Sequence, residues 1–269
     1  MPNSYQIAKS YTEEIRTKTQ SEIILIDNMM TQRYSSLFNL PNIGNYKFIE
    51  ADVRKADLIS IFSGADVVIH SLTKFINGTS DTVGGVVCSD EEFIGEMIDV
   101  NSGSAMLLGP TMDAVRAASI LKNIRTLHLR MKKHSENAQY LSEKFQADNL
   151  RVIYPGLENH PQHEMMKNSM NDGFGFGGMF VLDTKTKEKA NTLMEEMQNN
   201  NLGYLAVSLG FYKTLFSAPG LSTSSEIPEE ERETMGLSDG LVRISIGLDN
   251  DIERTYNTMV DCMKKVGVL

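Results

Sequence analysis

Tryptophan is absent from the 269 residues, cysteine occurs only twice and proline only 7 times. Cys88 and Cys262 lack metal-type spacing and cannot build a disulfide framework, so a reduced, cytoplasmic setting is expected. No apolar run approaches the length of a bilayer-spanning helix, and no membrane association is expected. The opening residues carry Glu13, Glu14, Arg16 and Lys18 where a signal peptide would be apolar, so no leader is expected either. Basic side chains are in deficit, 26 Lys+Arg against 35 Asp+Glu, for a formal net charge of −9. A surface of that sign repels phosphate backbones and argues against nucleic acid as a partner. What remains is ordinary globular composition, 41% hydrophobic and 23% charged, enough for one large domain or two modest ones. The 16 methionines read as flexible core filler.

Apolar runs and their spacing lay out the chain. Ile7, Tyr11 and Ile15 predict a helix over 3–20. Short apolar stretches at 22–27, 47–50, 65–70 and 84–88 predict strands, with helices over 55–62 and 90–100. Strands alternating with helices imply a parallel sheet. After Pro110 comes a helical pattern marked by Val115, Ile120, Leu121, Ile124, Leu127, Met131, Ala138, Leu141 and Phe145. It is too long for one globular helix, so a break is expected. Further strands are predicted at 151–154, 178–182, 204–208 and 241–246, and helices at 186–200 and 250–265. Residues 209–239 read as mostly irregular, and loops of that length tend to carry function.

The chemistry concentrates at His70-Ser-Leu-Thr-Lys74 and the glycine-containing stretch that follows it to Gly85. A lysine directly after an apolar strand lies where open α/β sheets bind ligands. Its amine suits a Schiff base, while Ser71, Thr73 and nearby backbone amides suit a phosphate. On spacing alone, a solvated surface loop is an equally good reading. On the predicted strand 241–246, Arg243 and Ser245 alternate with Val242, Ile244 and Ile246, so Arg243 lies on the less apolar face, suited to carboxylate capture. His160, His163 and Glu164 are weak evidence for a metal, and no metal site is expected. Cys88 reads as a small buried hydrophobe.

His70 to Lys74 with Ser80 to Gly85 resembles the lysine segment of the pyridoxal-phosphate enzymes of cysteine and methionine metabolism. That trans-sulfuration family includes cystathionine lyases and synthases, methionine gamma-lyase and homoserine sulfhydrylases. The resemblance continues through Asn101-Ser-Gly-Ser-Ala105, Leu127-His-Leu-Arg-Met131, Tyr154-Pro-Gly156, His160 to Glu164, Phe174 to Gly178, Val207-Ser-Leu-Gly210 and Gly240 to Gly247. It covers about residues 65–269, and so many ordered segments are more specific than one motif. It implies that Lys74 is the catalytic lysine, joined to pyridoxal 5'-phosphate, and that Ser71 and Thr73 contact the cofactor phosphate. It implies that Arg243, with Ser208 and Thr223, binds the substrate. The expected fold is α/β, that of fold type I pyridoxal-phosphate enzymes, with a truncated large domain and an α+β C-terminal domain. Residues 1–130 would form a partial cofactor-binding domain, atypical over 1–69, and residues 131–269 the C-terminal domain. The implied function is C–S elimination on a sulfur-containing amino acid, nearest to methionine or cystathionine gamma-lyase, in a homo-oligomer (dimer or tetramer).

Family segments that carry the ring-stacking tyrosine and the glycine-containing phosphate loop are not found ahead of Lys74. A catalytically impaired or chimeric relative is therefore the alternative. Asp27-Asn28 resembles the pair whose Asp faces the pyridine nitrogen, but it lies farther from Lys74 than the family places it. Residues 22–70 also resemble the NAD-dependent nucleotide-sugar epimerases, through Leu25-Ile-Asp27-Asn28, Ala51-Asp-Val-Arg54 and Gly64 to His70. Asp27 would there hold the ribose and Asp52-Val53 the adenine. No G-x-G-x-x-G loop precedes these strands, so NAD binding is not expected.

Overall fold

The computed structural model describes residues 23–27, 46–50, 67–170, 172–219 and 238–269. The predicted helices at 3–20 and 55–62 lie outside the described residues. Two compact units emerge, residues 1–70 with 87–112, and residues 71–86 with 113–269.

In the first unit, strands β1 (Ile23–Asp27) and β2 (Tyr46–Glu50) pair in parallel, Ile23 opposite Tyr46 through Asp27 opposite Glu50. Both strands fall where short apolar runs predicted them, and their parallel pairing agrees with the α/β pattern. Helix α1 (Glu91–Met97) starts at Asp90, whose carboxylate accepts the Phe93 N–H at 2.8 Å. That contact satisfies one of the helix's orphan donors. A short helix, α2 (Ser104–Leu108), follows and ends on Gly109 in the left-handed conformation. Strands β3 (Val67–Ser71) and β4 (Gly85–Ser89) form a two-stranded sheet that bounds the lysine loop.

The second unit is built on a five-stranded sheet in the order β5 (Arg151–Ile153), β6 (Met179–Asp183), β9 (Leu241–Ser245), β8 (Leu215–Ser217) and β7 (Tyr204–Leu205). Its pairings are antiparallel except for β7 with β8. The expected parallel sheet therefore applies to β1 and β2, while this unit is α+β. The predicted long helix divides into α3 (Ala114–Ile124) and α4 (Leu127–Ala147), with the break at Arg125–Thr126. Helix α5 (His163–Ser169), α6 (Lys187–Asn199) and α7 (Ile252–Lys265) complete the described helices of this unit.

Helical spacing places Ala138, Leu141 and Phe145 of α4, and Ala190, Leu193, Met194 and Met197 of α6, on the faces that meet the sheet. From the sheet come Phe180, Leu182, Phe216, Val242 and Ile244. Each such side chain contributes about 1.5–3 kcal/mol on burial, so this core anchors the whole unit. The alternation that buries Val242 and Ile244 turns Arg243 and Ser245 to the opposite face of β9.

One expectation meets a different structure, and two details go beyond what the spacing indicated. Cys88 is exposed, because β4 belongs to a two-stranded ribbon with little to cover it. Of the apolar positions that mark α3, Ile120 is buried, whereas Val115, Leu121 and Ile124 are exposed. Strand β8 lies inside the stretch expected to be mostly irregular, and its three buried residues are too few for a periodic signal.

Candidate active site

Lys74 stands in a single helical turn just after β3, closed by bonds from Gly78 N–H to Lys74 O (2.8 Å) and from Asn77 N–H to Leu72 O (3.0 Å). Its Nζ donates to Ser208 Oγ at 3.3 Å. The carbonyl of Ser208 accepts from Arg243 Nη2 at 3.1 Å. One serine thus touches both cations, with its hydroxyl on the amine and its carbonyl on the guanidinium. All three residues are half-buried.

The loop carrying Ser208 is held by two close approaches. Gly210 adopts φ +76°, and a side chain there would run into the backbone of Lys74 and Phe75. Its N–H donates to the buried hydroxyl of Ser245 at 3.0 Å. Tyr212 N–H then donates to Gly78 O at 2.9 Å, so the 208–212 loop lies along the lysine turn. A residue with a Cβ could not make this approach, which explains the glycine.

Arg243 forms no ion pair among the described residues, and burial lowers its pKa below the ordinary value. A guanidinium remains charged in any protein setting and has five N–H donors, so a half-buried one beside an amine is a ready anion receptor.

The remaining residues of the expected site are placed less simply. Thr73 Oγ1 accepts from Gly84 N–H (3.1 Å) and donates to Gly84 O (3.3 Å). Its only proton is directed at a carbonyl, and to reach a phosphate that O–H must rotate. Ser71 is exposed at the end of β3. Thr223 lies outside the described residues. His163 holds Pro155 O through Nδ1 at 2.9 Å and stacks on Phe176 with ring centres 4.8 Å apart, a packing role. Among the described residues there is no cluster of three side chains able to hold a metal ion.

Residues without an assigned role in the sequence also bear on the site. Arg130 binds the carbonyls of the two residues after Lys74, Phe75 at 2.5 Å and Ile76 at 2.9 Å. Buried His134 holds Ile246 O at 2.6 Å, meets the Phe75 ring edge-on, and has no partner for Nε2 among the described residues. Burial pulls its pKa down, so the ring is neutral. A network of Asn77, Thr79, Asp81, Ser119 and Asn123 ties the lysine loop to α3. Both α4 residues lie in or near the segment Leu127 to Met131, where the motif was visible but its use was not.

The donor set fits a carbonyl-bearing cofactor with an anionic tail. It offers a primary amine without an ion pair among the described residues, a hydroxyl to orient it, and an uncommitted guanidinium face. The profile of the Cys/Met metabolism PLP-dependent enzymes matches residues 59–255. The chain belongs to that family. It is 47% identical to a methionine gamma-lyase of Arabidopsis thaliana over 194 residues, 72% of this chain and 44% of the relative. An L-methionine gamma-lyase of Fusobacterium nucleatum subsp. polymorphum is 39% identical over 70% of this chain and 46% of its own length. A cystathionine gamma-lyase of Dictyostelium discoideum is 37% identical over 74% of this chain and 50% of its own. The chain spans about half the length of the curated relatives it matches.

The fold agrees. A solved cystathionine gamma synthase from Xanthomonas oryzae pv. oryzae, in complex with aminoacrylate and cysteine, superposes with a TM-score of 0.69 at 24% identity. The superposition covers 100% of this chain and 68% of that one. The α/β architecture is that of fold type I PLP-dependent enzymes. The epimerase resemblance over 22–70 is not supported by these matches. An apolar strand ending in Asp is common to parallel α/β sheets in general, and without a phosphate loop it does not specify dinucleotide binding.

Proposed function

We propose that this chain serves a PLP-dependent C–S lyase that acts on a sulfur-containing amino acid, nearest to methionine and cystathionine gamma-lyases. The observation that carries the reading is Ser208 bridging Lys74 and Arg243, an amine and an anion receptor joined through one residue. Pyridoxal phosphate, when bound, supplies an electron sink for charge developing at the substrate's α carbon. In this reading Lys74 would hold the cofactor covalently, and Ser71 and Thr73, the latter after rotating its O–H away from Gly84 O, would serve its phosphate end.

Lys74 Nζ would be the base that takes the substrate's α proton. Ser208 Oγ, its partner at 3.3 Å, keeps the amine's lone pair on a fixed bearing. Arg243 spends one donor on Ser208 O and has the rest of its fork for the substrate carboxylate. Thr223 belongs to the same substrate-binding set. Homo-oligomerisation in the cytoplasm is part of the reading. It is supported by the apolar side chains exposed on α3, Val115, Leu121 and Ile124.

The test is a titration with pyridoxal phosphate followed by absorbance, then turnover of methionine and cystathionine followed by 2-oxo acid release. A visible band that Lys74→Ala abolishes, together with turnover, is expected. A band without turnover favours the impaired relative. A band that survives Lys74→Ala, or none at all, defeats the proposal.

A further inference from the structure

We infer that Arg130 is a positioning residue that fixes the turn presenting Lys74, an inference that rests on Lys74 being the reactive amine. Its guanidinium reaches three carbonyls and a hydroxyl. Nη1 donates to Phe75 O at 2.5 Å, and Nη2 donates to Ile76 O at 2.9 Å and to Asn123 O at 3.0 Å. Nε donates to Thr126 Oγ1 at 3.2 Å.

The two carbonyls that follow Lys74 have a common need. A single helical turn is too short to satisfy its own carbonyls, so those of Phe75 and Ile76 require donors from elsewhere. Asn123 O and Thr126 flank the break between α3 and α4, where the helical ladder is also interrupted. Arg130 therefore pins the peptide planes immediately after Lys74 to the point where the long helix divides. The site accommodates nothing else. Gly78 has φ +73°, and a side chain there would occupy the position of the guanidinium. Among the described residues no carboxylate pairs with Arg130, so its charge is met by carbonyl dipoles.

A planar fork can serve consecutive carbonyls together, whereas an ammonium is a point charge that cannot span them. Loss of the fork frees the turn, and two readouts then move in opposite directions. Lys74 becomes more accessible to a general amine reagent, while its directed capture of pyridoxal phosphate declines.

The experiment is competitive acetylation of the full chain by acetic anhydride, read at Lys74 by mass spectrometry across pH. Borohydride trapping with pyridoxal phosphate is run beside it. Arg130→Ala is expected to raise Lys74 acetylation about tenfold and to lower cofactor trapping by a similar factor, the scale of a lost charge-assisted bond. Lys189, bonded to Gly267 O on the far side of the unit's core, is expected to label as before. Added methylguanidinium is expected to reverse both changes at Lys74, which a general loss of structure would not allow. Arg130→Lys should behave as Arg130→Ala does. Unchanged Lys74 acetylation in folded Arg130→Ala overturns the inference, and so does a change that Lys189 shares. If Arg130→Ala does not fold, unchanged acetylation in Arg130→Lys overturns it equally. If unmodified protein never traps pyridoxal phosphate, the functional reading fails, yet the acetylation comparison still decides the role of Arg130.

Discussion

The amine of Lys74 and the hydroxyl of Ser208 meet at 3.3 Å although the residues lie 134 positions apart. Fixing that meeting needs both loops to be held independently, Lys74 by its closed turn and Ser208 by Gly210 and Ser245. Ser208→Ala leaves the turn intact and removes only the acceptor. The expected result is normal capture of pyridoxal phosphate with kcat/KM for methionine or cystathionine lower by about tenfold, the scale of one lost hydrogen bond to a charged group. Ser208→Thr should recover most of it. Equal kcat/KM in Ser208→Ala and unmodified protein would show that the hydroxyl does not orient the amine.

Gly210 tests the loop itself. Substitution by Ala meets both an unfavourable φ of +76° and the backbone of Lys74 and Phe75. Gly267 has a similar φ of +69° with open space around it, so it isolates the backbone cost from the collision. Gly267→Ala should destabilise by about 1 kcal/mol and Gly210→Ala by at least about twice that. Urea unfolding of the two variants checks the difference, and equal values would mean that the close approach contributes nothing.

Asp81 gives the lysine loop an acid-sensitive tie. The hydroxyl of Thr79 (2.6 Å), the amide of Asn77 (2.9 Å) and the hydroxyl of Ser119 (3.2 Å) all donate to its carboxylate. Those bonds, that of Thr79 foremost, lower its pKa from 3.8 to about 2. As pH falls, the unfolded chain therefore takes up this proton before the folded chain does. The stabilisation is fully present above pH 3.8 and is lost as pH falls through about 2. Thermal melts of unmodified protein and Asp81→Asn should differ by a constant amount above about pH 5 and converge across that acidic window. A constant difference throughout would place no charged Asp81 in the network.

Local chemistry was legible in the sequence and distant partnership was not. Lys74 stood out as a lysine directly after an apolar strand, a pattern that fits a solvated loop equally well, and the family resemblance favoured the reactive amine. Arg243 could be read because strand alternation puts it opposite Val242 and Ile244. Ser208 was reachable only through the family resemblance, since nothing in Val207 to Gly210 indicates which side chain faces the amine. Arg130 was invisible as a clamp because three of its four acceptors are backbone carbonyls, which leave no mark on side-chain pattern. His134 was missed because a histidine on an otherwise polar helix stretch gives no sign of being fully buried. The helix break was foreseen from length alone, whereas β8 and the exposure of Cys88 depend on which strands become neighbours.

Arg243 separates binding from chemistry. Among the described residues its guanidinium makes one hydrogen bond, to Ser208 O at 3.1 Å. A carboxylate held there is held equally before and during bond cleavage, so its loss should appear as uniform binding. Arg243→Lys keeps the charge but loses the fork, and KM should rise by about ten- to a hundredfold while kcat changes little. Capture of pyridoxal phosphate at Lys74, read by absorbance, should be unaffected, because that step needs the amine and not the guanidinium. A fall in kcat equal to the fall in kcat/KM would instead mean that Arg243 acts only in the transition state, and its assignment to carboxylate binding would have to be abandoned.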